Sequence, residues 1–424
     1  MNEINDFLKK QSIKTRIVYG NAPDAVEKSV SAVSRRGKII IITSDSAYFA
    51  VGKSIKDRLF SLYGEQTVCF CADDGRVSSA FLTAIYAELA CASCVVVAGG
   101  GELIRACKYL TGRFAYDNRK NFLNRGAGSA CGFIIVPVDC DFGDCLSAGG
   151  GSGAFSFAEE SFFDSDEIIL DERVISAVMK KQRTSASLKR VLAGNLLFIE
   201  SAVYEVIHGF SEKNKIEICR FALKKSQAYA NEYFKTRKTK ALALAELYCG
   251  LAARFCPAES PARVMSRLMG VYGIDCYAGE REYRAYELLL NLYEYYLSGE
   301  FDFCGYIPSI SHPADRAGKT FGIPFSEVSD FLPAYLYMPD EIKKYKEKLR
   351  AGCGIFESIK KQKELIGVNE KRLKTVFAGR KLSDKLYSRK QWNEALSVAP
   401  LVAKGDCLLK IIWANGLLEG LYDL

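Results

Sequence analysis

Histidine is almost missing from this chain. Its 424 residues include two histidines, His208 and His312, two tryptophans and five methionines. Imidazole is the commonest metal ligand among side chains and the usual acid or base near neutral pH. A metal centre with three histidine ligands is therefore excluded, and histidine-based acid–base chemistry would depend on one of two positions.

Long apolar runs and a secretory leader are also missing. No apolar run reaches the ~20 residues that a membrane-spanning helix needs. The chain opens Met-Asn-Glu-Ile-Asn-Asp with no apolar segment behind it. These absences predict a soluble, cytoplasmic protein with no membrane partner. In a reducing compartment the fifteen cysteines are expected to pack as small hydrophobic side chains. Cys91 and Cys94 have C-x-x-C spacing, but no second pair stands at zinc-like spacing.

The charge is nearly balanced for a chain of this length. Lys and Arg number 58 against 50 Asp and Glu, a net charge of +8. The basic residues are scattered, and their densest runs, 235–240 and 343–350, fall in helical contexts typical of solvated faces. No nucleic-acid partner is therefore expected. The length predicts two domains, and 49% hydrophobic with 25% charged residues is an ordinary globular composition.

The first 170 residues alternate β-branched runs with amphipathic segments. Strands are predicted at 15–18, 38–43, 67–71, 94–98, 132–136 and 167–170. Helical spacing of apolar residues is found between them at 24–34, 47–63 and 78–92. This alternation is typical of a mainly parallel sheet with crossover helices. Residues 1–170 are therefore predicted to form a Rossmann-like α/β nucleotide-binding domain.

Strand signals nearly vanish from Asp171 onward, so residues 171–424 are predicted to form an all-α domain. Long amphipathic helices are expected at 187–209, 215–235, 239–255, 282–297 and 339–352. The stretch 299–333 is richer in Pro, Gly and Ser. It is predicted to be a long connection or a set of short irregular elements.

Three consecutive glycines mark the end of the fourth predicted strand. Gly99, Gly100 and Gly101 follow the apolar run 94–98, and 102–110 can continue as a helix. Backbone N–H groups at a helix N-terminus, with no side chains in the way, suit a pyrophosphate. Ligands of open α/β sheets also bind outside the carboxyl ends of the strands. A tight turn at the end of a buried strand is the alternative interpretation.

The sequence around these glycines resembles a known superfamily. Residues 95–108, VVVAGGGELIRACK, resemble the G-G-G-x-x-x-D-x-x-K signature of iron-dependent alcohol and glycerol dehydrogenases, with Arg105 in place of the Asp. Residues 39–45, IIIITSD, are similar to that family's second strand, whose terminal Asp lies beside the dinucleotide. The resemblance implies NAD or NADP as cofactor. It also implies a set of cofactor-binding residues: Asp45, Gly99, Gly100, Gly101 and Lys108.

Three further segments extend the resemblance. IVPVD at 135–139 is similar to the family's V-P-T-T strand end and adds Asp139 to the cofactor site. SAGGGSG at 147–153 resembles S-V-G-G-K-T-G of dehydroquinate synthases, and YAGE at 277–280 resembles their L-H-G-E. Glycerol-1-phosphate dehydrogenases fit equally well. The similarity covers about residues 15–300, and residues 300–424 match nothing in the superfamily.

The positions that hold the superfamily's divalent metal carry other residues here. The resemblance puts Ser266 and Ala278 at the positions of two of the family's metal-binding histidines. The first-helix ligands fall on Lys189 and Ala193 or, in a second register, on Ala193 and Leu197. None of these supplies the carboxylate and imidazoles that such a metal needs. The catalytic zinc or iron is therefore predicted to be absent.

Two other positions depart from the pattern. Gly151 replaces the glycine-loop lysine that synthases use at the substrate, and Val138 with Asp139 replaces the paired Thr. A relocated metal site is the alternative to a lost one, because Asp275, Cys276 and Glu280 lie close together in the sequence.

Lys189 and His312 are the remaining candidates for catalysis. The Lys189 ammonium could replace the metal's positive charge near a substrate oxygen, although an exposed lysine is the alternative. His312 lies in a polar, loop-like segment and could act as an acid or base, or could be a surface residue. His208 is near a predicted helix C-terminus, where a capping role is expected.

Three functional hypotheses follow. The resemblance implies an NAD(P)-dependent enzyme with redox chemistry at a hydroxyl carbon of a polyol, polyol phosphate or sugar phosphate. The lost ligands favour a catalytically inactive nucleotide-binding protein or scaffold that has kept the fold. A third hypothesis is an interaction protein whose basic C-terminal helices bind an acidic partner. Homo-oligomerisation and the choice between NAD and NADP stay open.

Overall fold

The chain divides into two compact units, Met1–Thr184 and Ser185–Leu424. The computed structural model describes residues 2–33, 37–73, 77–122, 131–139, 142–147, 164–178, 181–209, 211–271, 276–299, 318–319, 339–377, 389–416 and 418. Most of the predicted connection at 299–333 lies outside the described residues. The division falls after Thr184 and not at Asp171, because one further helix (Glu172–Val178) belongs to the first unit.

Six strands form one sheet in the first unit. They are β1 (Arg16–Tyr19), β2 (Lys38–Ser44), β3 (Thr67–Ala72), β4 (Ala92–Gly99), β5 (Gly132–Pro137) and β6 (Glu167–Leu170). Their order across the sheet is β1-β6-β5-β4-β2-β3, and every neighbouring pair is parallel. Each overlaps a predicted strand, and β6 has the predicted bounds. The predicted parallel α/β unit is confirmed.

Neighbouring strands β2 and β4 are buried along most of their length. Residues 39–42 and 94–98 are each at most 1% exposed. Apolar side chains from two helices, among them Val26, Val30, Ile55 and Leu59, join the same core cluster. Strands of a parallel sheet that are covered on both faces become near-continuous apolar runs. This burial accounts for the Ile-Ile-Ile-Ile and Val-Val-Val runs of the sequence.

Helices precede, connect and follow these strands. They are α1 (Asn2–Lys10), α2 (Ala22–Val33), α3 (Asp45–Ala47), α4 (Lys53–Tyr63), α5 (Ser79–Leu89), α6 (Gly101–Phe122), α7 (Gly143–Leu146) and α8 (Glu172–Val178). A π-helical turn, Tyr48–Gly52, joins α3 to α4. The helix after the three glycines therefore runs well past the predicted end at Leu110.

Helix α1 was not predicted from the sequence, and one side chain explains its position. The Asn5 amide donates to the carbonyl of Ile17 over 2.9 Å and accepts from the Ile17 N–H over 2.8 Å. Ile17 lies in β1, at one edge of the sheet. Because an edge strand exposes unpaired backbone groups, Asn5 satisfies two of them and fixes the helix there.

The described part of the second unit is helical. Its helices are α9 (Lys181–Ala193, which begins in the first unit), α10 (Leu196–His208), α11 (Lys213–Thr236), α12 (Thr239–Phe255), α13 (Pro261–Val271), α14 (Ala278–Ser298), α15 (Pro339–Ala351), α16 (Cys353–Val376), α17 (Arg389–Val402) and α18 (Leu408–Ala414). The predicted all-α region is confirmed. Helices α13, α16, α17 and α18 were not predicted.

The single helix predicted at 187–209 is two helices, α9 and α10. They meet at Gly194, where an added Cβ would overlap the Sγ of Cys249 in α12. The missing side chain lets α12 approach the junction. The combined segment Gln182–His208 has the length and hydropathy of a membrane span, but 67% of its apolar window is buried inside the protein, as expected for core helices.

Candidate functional site

The topology of the sheet singles out the carboxyl ends of β2 and β4. These strands are neighbours, yet β2 is followed by β3 on one side and β4 by β5 on the other. Their connections therefore leave in opposite directions. In open α/β sheets a crevice forms at such a switch point, outside the carboxyl ends of the strands, and ligands bind there.

The three glycines occupy this switch point. Gly99 ends β4, and α6 begins at Gly101, with the Ile104 N–H donating to the Gly100 carbonyl over 3.0 Å. A Cβ on Gly99 would lie 2.7 Å from Leu103 Cδ2, so a larger residue there would require the Leu103 side chain to move. Helix α6 directs the N–H groups of its first turn toward the carboxyl edge, which suits an anion.

Asp139 lies against the middle glycine. A Cβ on Gly100 would be 3.3 Å from the Asp139 Cβ. The Oδ1 of Asp139 is 3.5 Å from Nη1 of Arg183, and these side chains are 29% and 25% exposed. Arg183 therefore offsets a negative charge beside the N-terminus of α6. Arg183 was missed at the sequence level, because nothing in its local pattern indicates a partner in the segment that follows β5.

Asp45 follows β2 directly and is exposed. Its Oδ1 accepts a hydrogen bond from the Cys71 thiol over 3.1 Å, at the end of neighbouring β3. The structure thus brings Asp45, the three glycines and Asp139 to the same edge of the sheet, after three adjacent strands. Five of the six predicted cofactor-binding residues meet there.

Lys108, the sixth, has a different position. It is 3% exposed, and its Nζ donates to the carbonyls of Ser147 (2.7 Å), Asp144 (3.3 Å) and Cys145 (3.4 Å). These carbonyls end α7, where a cation is favoured. Arg105, in place of the family's Asp, donates to Asp144 over 2.6 Å. Lys108 therefore stabilises the end of α7 at Ser147, and a direct contact with the cofactor stays a prediction.

In the second unit, the positions matched to the metal ligands do come together. The Ser266 hydroxyl donates to the Ala278 carbonyl over 2.9 Å, and Lys189 forms a hydrogen-bonded ion pair with Glu280. Helices α9 and α14 can approach so closely because position 279 is glycine; a Cβ there would overlap the Ala186 carbonyl. This is the glycine shared with the L-H-G-E motif.

These residues do not fit a divalent metal. Ala278 offers no donor atom, the Ser266 hydroxyl is engaged with a carbonyl, and the protonated Lys189 has no free lone pair. Among the described residues, no three His, Cys, Asp or Glu side chains are grouped as a metal site. In the alternative set, Glu280 is engaged by Lys189, and Asp275 lies outside the described residues.

The Lys189 side chain is buried between a carboxylate and an aromatic ring. The side chains of Lys189 and Glu280 are 7% and 14% exposed, and the Lys189 Nζ lies 5.8 Å from the centroid of the Tyr283 ring. Burial raises the pKa of Tyr283. The alternative that Lys189 is an exposed lysine is wrong.

The two histidines contribute nothing to either location as far as the structure describes them. His312 and Gly151 lie outside the described residues. His208 does not cap α10 as predicted: its Nε2 is 2.7 Å from Oδ2 of Asp406. Gly209, in the left-handed region at φ 69°, ends the helix by donating to the Glu205 carbonyl over 2.8 Å.

Solved structures share the fold of this chain, in which an α/β unit is followed by a helical unit. Sulfoacetaldehyde reductase from Bifidobacterium kashiwanohense, in complex with NAD+, matches with a TM-score of 0.55 at 13% identity, over 97% of this chain and 96% of its own. The iron-containing alcohol dehydrogenase from Thermococcus thioreducens matches at 0.52 and 15%, over 97% and 99%.

A third match agrees with these two. The archaeal alcohol dehydrogenase ADH/D1 from a Red Sea brine pool has a TM-score of 0.54 at 13% identity, over 96% of both chains. No protein-family model and no curated protein matches the sequence. At such identities the likeness establishes the fold. The chain thus has the fold of the superfamily that its motifs resemble, and the match includes the C-terminal part that those motifs did not reach.

Proposed function

We propose that this protein binds NAD or NADP at the carboxyl edge between β2 and β4. The observation that carries the proposal is the position of Asp45 and the glycine turn at the topological switch point of the sheet, directly after β2 and β4. The N-terminus of α6 would receive the pyrophosphate, because its N–H groups and dipole favour an anion. Asp45 would accept hydrogen bonds from the hydroxyls of the adenosine ribose.

The chemistry we propose is oxidation or reduction at the hydroxyl carbon of a small polyol, polyol phosphate or sugar phosphate in the cytoplasm. In the oxidative direction a bound NAD or NADP would accept a hydride from that carbon, and the hydroxyl proton would pass to solvent. A metal would ordinarily polarise that oxygen. Because Ser266, Ala278 and Lys189 do not fit a metal, we propose that the protein works without one and that Lys189 supplies the positive charge.

Binding is tested by calorimetry with NAD(H) and NADP(H) on the native chain, on Gly100→Ala and on Gly100→Asp. Both substitutions add atoms beside Asp139, and the second adds a negative charge, so affinity should fall in that order. Gly367→Asp in α16 is the matched control, because a Cβ at Gly367 meets nothing within 4 Å. If both Gly100 variants bind NAD(H) and NADP(H) as tightly as the native chain, the glycines form only a tight turn and do not bind the cofactor.

The metal is tested separately by elemental analysis after dialysis. We expect less than stoichiometric zinc and iron, and no loss of cofactor binding in the presence of a chelator. Stoichiometric metal that disappears in Cys276→Ala or Glu280→Ala would show that the ligands were relocated and would overturn this part of the proposal.

A second candidate function is favoured by the same helical residues. If the Lys189–Glu280 pair only ties α9 to α14, the protein is a nucleotide-binding protein without catalysis. Turnover separates the two functions: native protein that binds a dinucleotide but exchanges no hydride with a panel of polyols and their phosphates would support the second.

A further inference from the structure

Phe49 is the most exposed large apolar side chain in the described residues, at 81%. A single exposed apolar residue is common on protein surfaces. The position of Phe49, however, indicates a function. Phe49 lies in the π-helical turn Tyr48–Gly52 that follows Asp45 and α3. Such turns are rare and occur frequently at functional sites.

The burial pattern of this segment places Asp45 and Phe49 on the same side. Ala47 and Val51 are 1% and 3% exposed and belong to the core cluster of the sheet. Gly52 faces β2, where an added Cβ would be 3.0 Å from Thr43 Oγ1. With those residues turned toward the sheet, Asp45 and Phe49, four positions apart, share the solvent face.

We infer that Phe49 is the platform on which the adenine ring of the dinucleotide stacks. The inference rests on the proposed function, since it takes Asp45 as the residue that binds the adenosine ribose. The base is attached to the ribose carbon next to the one that bears the 2′-hydroxyl. A carboxylate on that hydroxyl therefore puts the base within about one helical turn, ~5.4 Å along the axis, of Asp45. Phe49 follows Asp45 by four positions in the chain, about one helical turn.

The Phe49 ring has an aromatic neighbour on one side, and most of its surface is exposed to solvent. Tyr48 contacts it edge-on, with ring centroids 5.8 Å apart and planes at 77°, while the side chain keeps most of its surface toward solvent. A base stacks on such a ring without hydrogen bonds, and removal of a stacking ring weakens nucleotide binding substantially.

The experiment compares ligands with and without a base on the full chain. Calorimetry with ADP, NAD and inorganic pyrophosphate is run on the native protein, on Phe49→Ala and on Phe49→Trp. We expect Phe49→Ala to weaken ADP and NAD binding about 10-fold or more, to leave pyrophosphate binding unchanged, and to be rescued by Phe49→Trp. Phe60→Ala is the control, because Phe60 is 51% exposed in the adjoining helix α4.

The outcomes separate this inference from the proposed function. If Phe49→Ala binds ADP as tightly as native protein while Gly100→Ala does not, the platform is wrong and the cofactor site stands. If the native chain binds neither ADP nor NAD, both fail. If Phe49→Ala changes only the oligomeric state in sedimentation velocity, Phe49 is a contact between copies of the chain and the inference is overturned.

Discussion

The two units differ in whether backbone or side-chain atoms would bind a ligand. At the switch point of the sheet the ligand-binding features are mainly backbone: glycines without Cβ, the N-terminus of α6 and the strand order. In the helical unit the corresponding features of the fold would be metal-binding side chains, and the matched positions hold Ser266, Ala278 and Lys189. A backbone site survives wherever the fold survives, whereas a side-chain site can be lost by single substitutions. Sequence identity to proteins of the same fold is 13–15%. At such identity the backbone features of the fold can be kept while the side chains at matched positions differ.

The largest expected effect is in the helical unit. Lys189→Met would leave Glu280 as an unpaired carboxylate in a mostly buried setting, and loss of one partner of a buried pair costs about 3–5 kcal/mol of unfolding free energy. Urea unfolding measures it. The double variant Lys189→Met/Glu280→Gln should recover most of this loss, because no unpaired charge remains.

The exposed pair Lys53–Asp57 provides the control, since its side chains are 63% and 59% exposed and Lys53→Met should change stability little. Dehydrogenase activity of the same double variant then tests whether Lys189 has a catalytic role as well as a structural one. If the double variant is stable and keeps full dehydrogenase activity, Lys189 does not supply the positive charge proposed for it.

The second prediction concerns a buried carboxylate of the helical unit. Glu200 is fully buried, accepts from the Tyr293 hydroxyl (2.6 Å) and the Leu408 N–H (2.9 Å), and so ties α10 and α14 to α18. Burial raises the pKa of Glu200 to about 7 from the ordinary 4.5. The folded state thus holds this proton more tightly than the unfolded state does.

Stability from Glu200 is therefore fully present below about pH 4.5 and is lost as pH rises toward 7 and above. The loss is on the order of 3 kcal/mol. Glu200→Gln carries no charge at any pH, so its urea-unfolding free energy should fall less than that of native protein between pH 5 and pH 8. Parallel pH profiles would show that the Glu200 proton is not linked to folding.

The third prediction concerns cofactor choice in the α/β unit. A carboxylate at Asp45 suits the 2′-hydroxyl of NAD and repels the 2′-phosphate of NADP. At short range in a partly exposed site this is worth about 2 kcal/mol, roughly a 30-fold preference for NAD. Asp45→Asn should reduce the preference for NAD over NADP. The asparagine side chain keeps an oxygen that can accept the hydrogen bond of the Cys71 thiol. Equal affinity of the native chain for NAD and NADP would contradict the assignment of Asp45.

The elements that could be predicted from the sequence are those set by local sequence patterns. All six strands were predicted from runs of β-branched and apolar residues, and burial on both faces accounts for these runs in β2, β4, β5 and β6. The glycine turn follows from the strand and helix beside it. Helix α1 was missed because its order depends on Asn5 bonding to Ile17, and His208 was misinterpreted because its partner Asp406 is 198 positions away. The Lys189–Glu280 pair spans 91 positions. Side-chain pairs at such separations are created by packing, and a single sequence carries no periodicity that indicates them.

The smallest expected effect is at the glycine turn itself. The Asp139 carboxylate lies beside Gly100, where the proposed function puts a pyrophosphate, and Arg183 offsets only part of that repulsion because both side chains are partly solvated. Asp139→Asn should therefore tighten NAD binding by about 1 kcal/mol, roughly fivefold, at low ionic strength. The gain should shrink at high salt, since the charges are within reach of screening ions. Calorimetry at two salt concentrations measures it, with Asp57→Asn, on an exposed face of α4, as the control. A change that persists unaltered at high salt would indicate a repacked turn, and weaker binding would show that Asp139 contacts the cofactor through a hydrogen bond that the amide cannot replace.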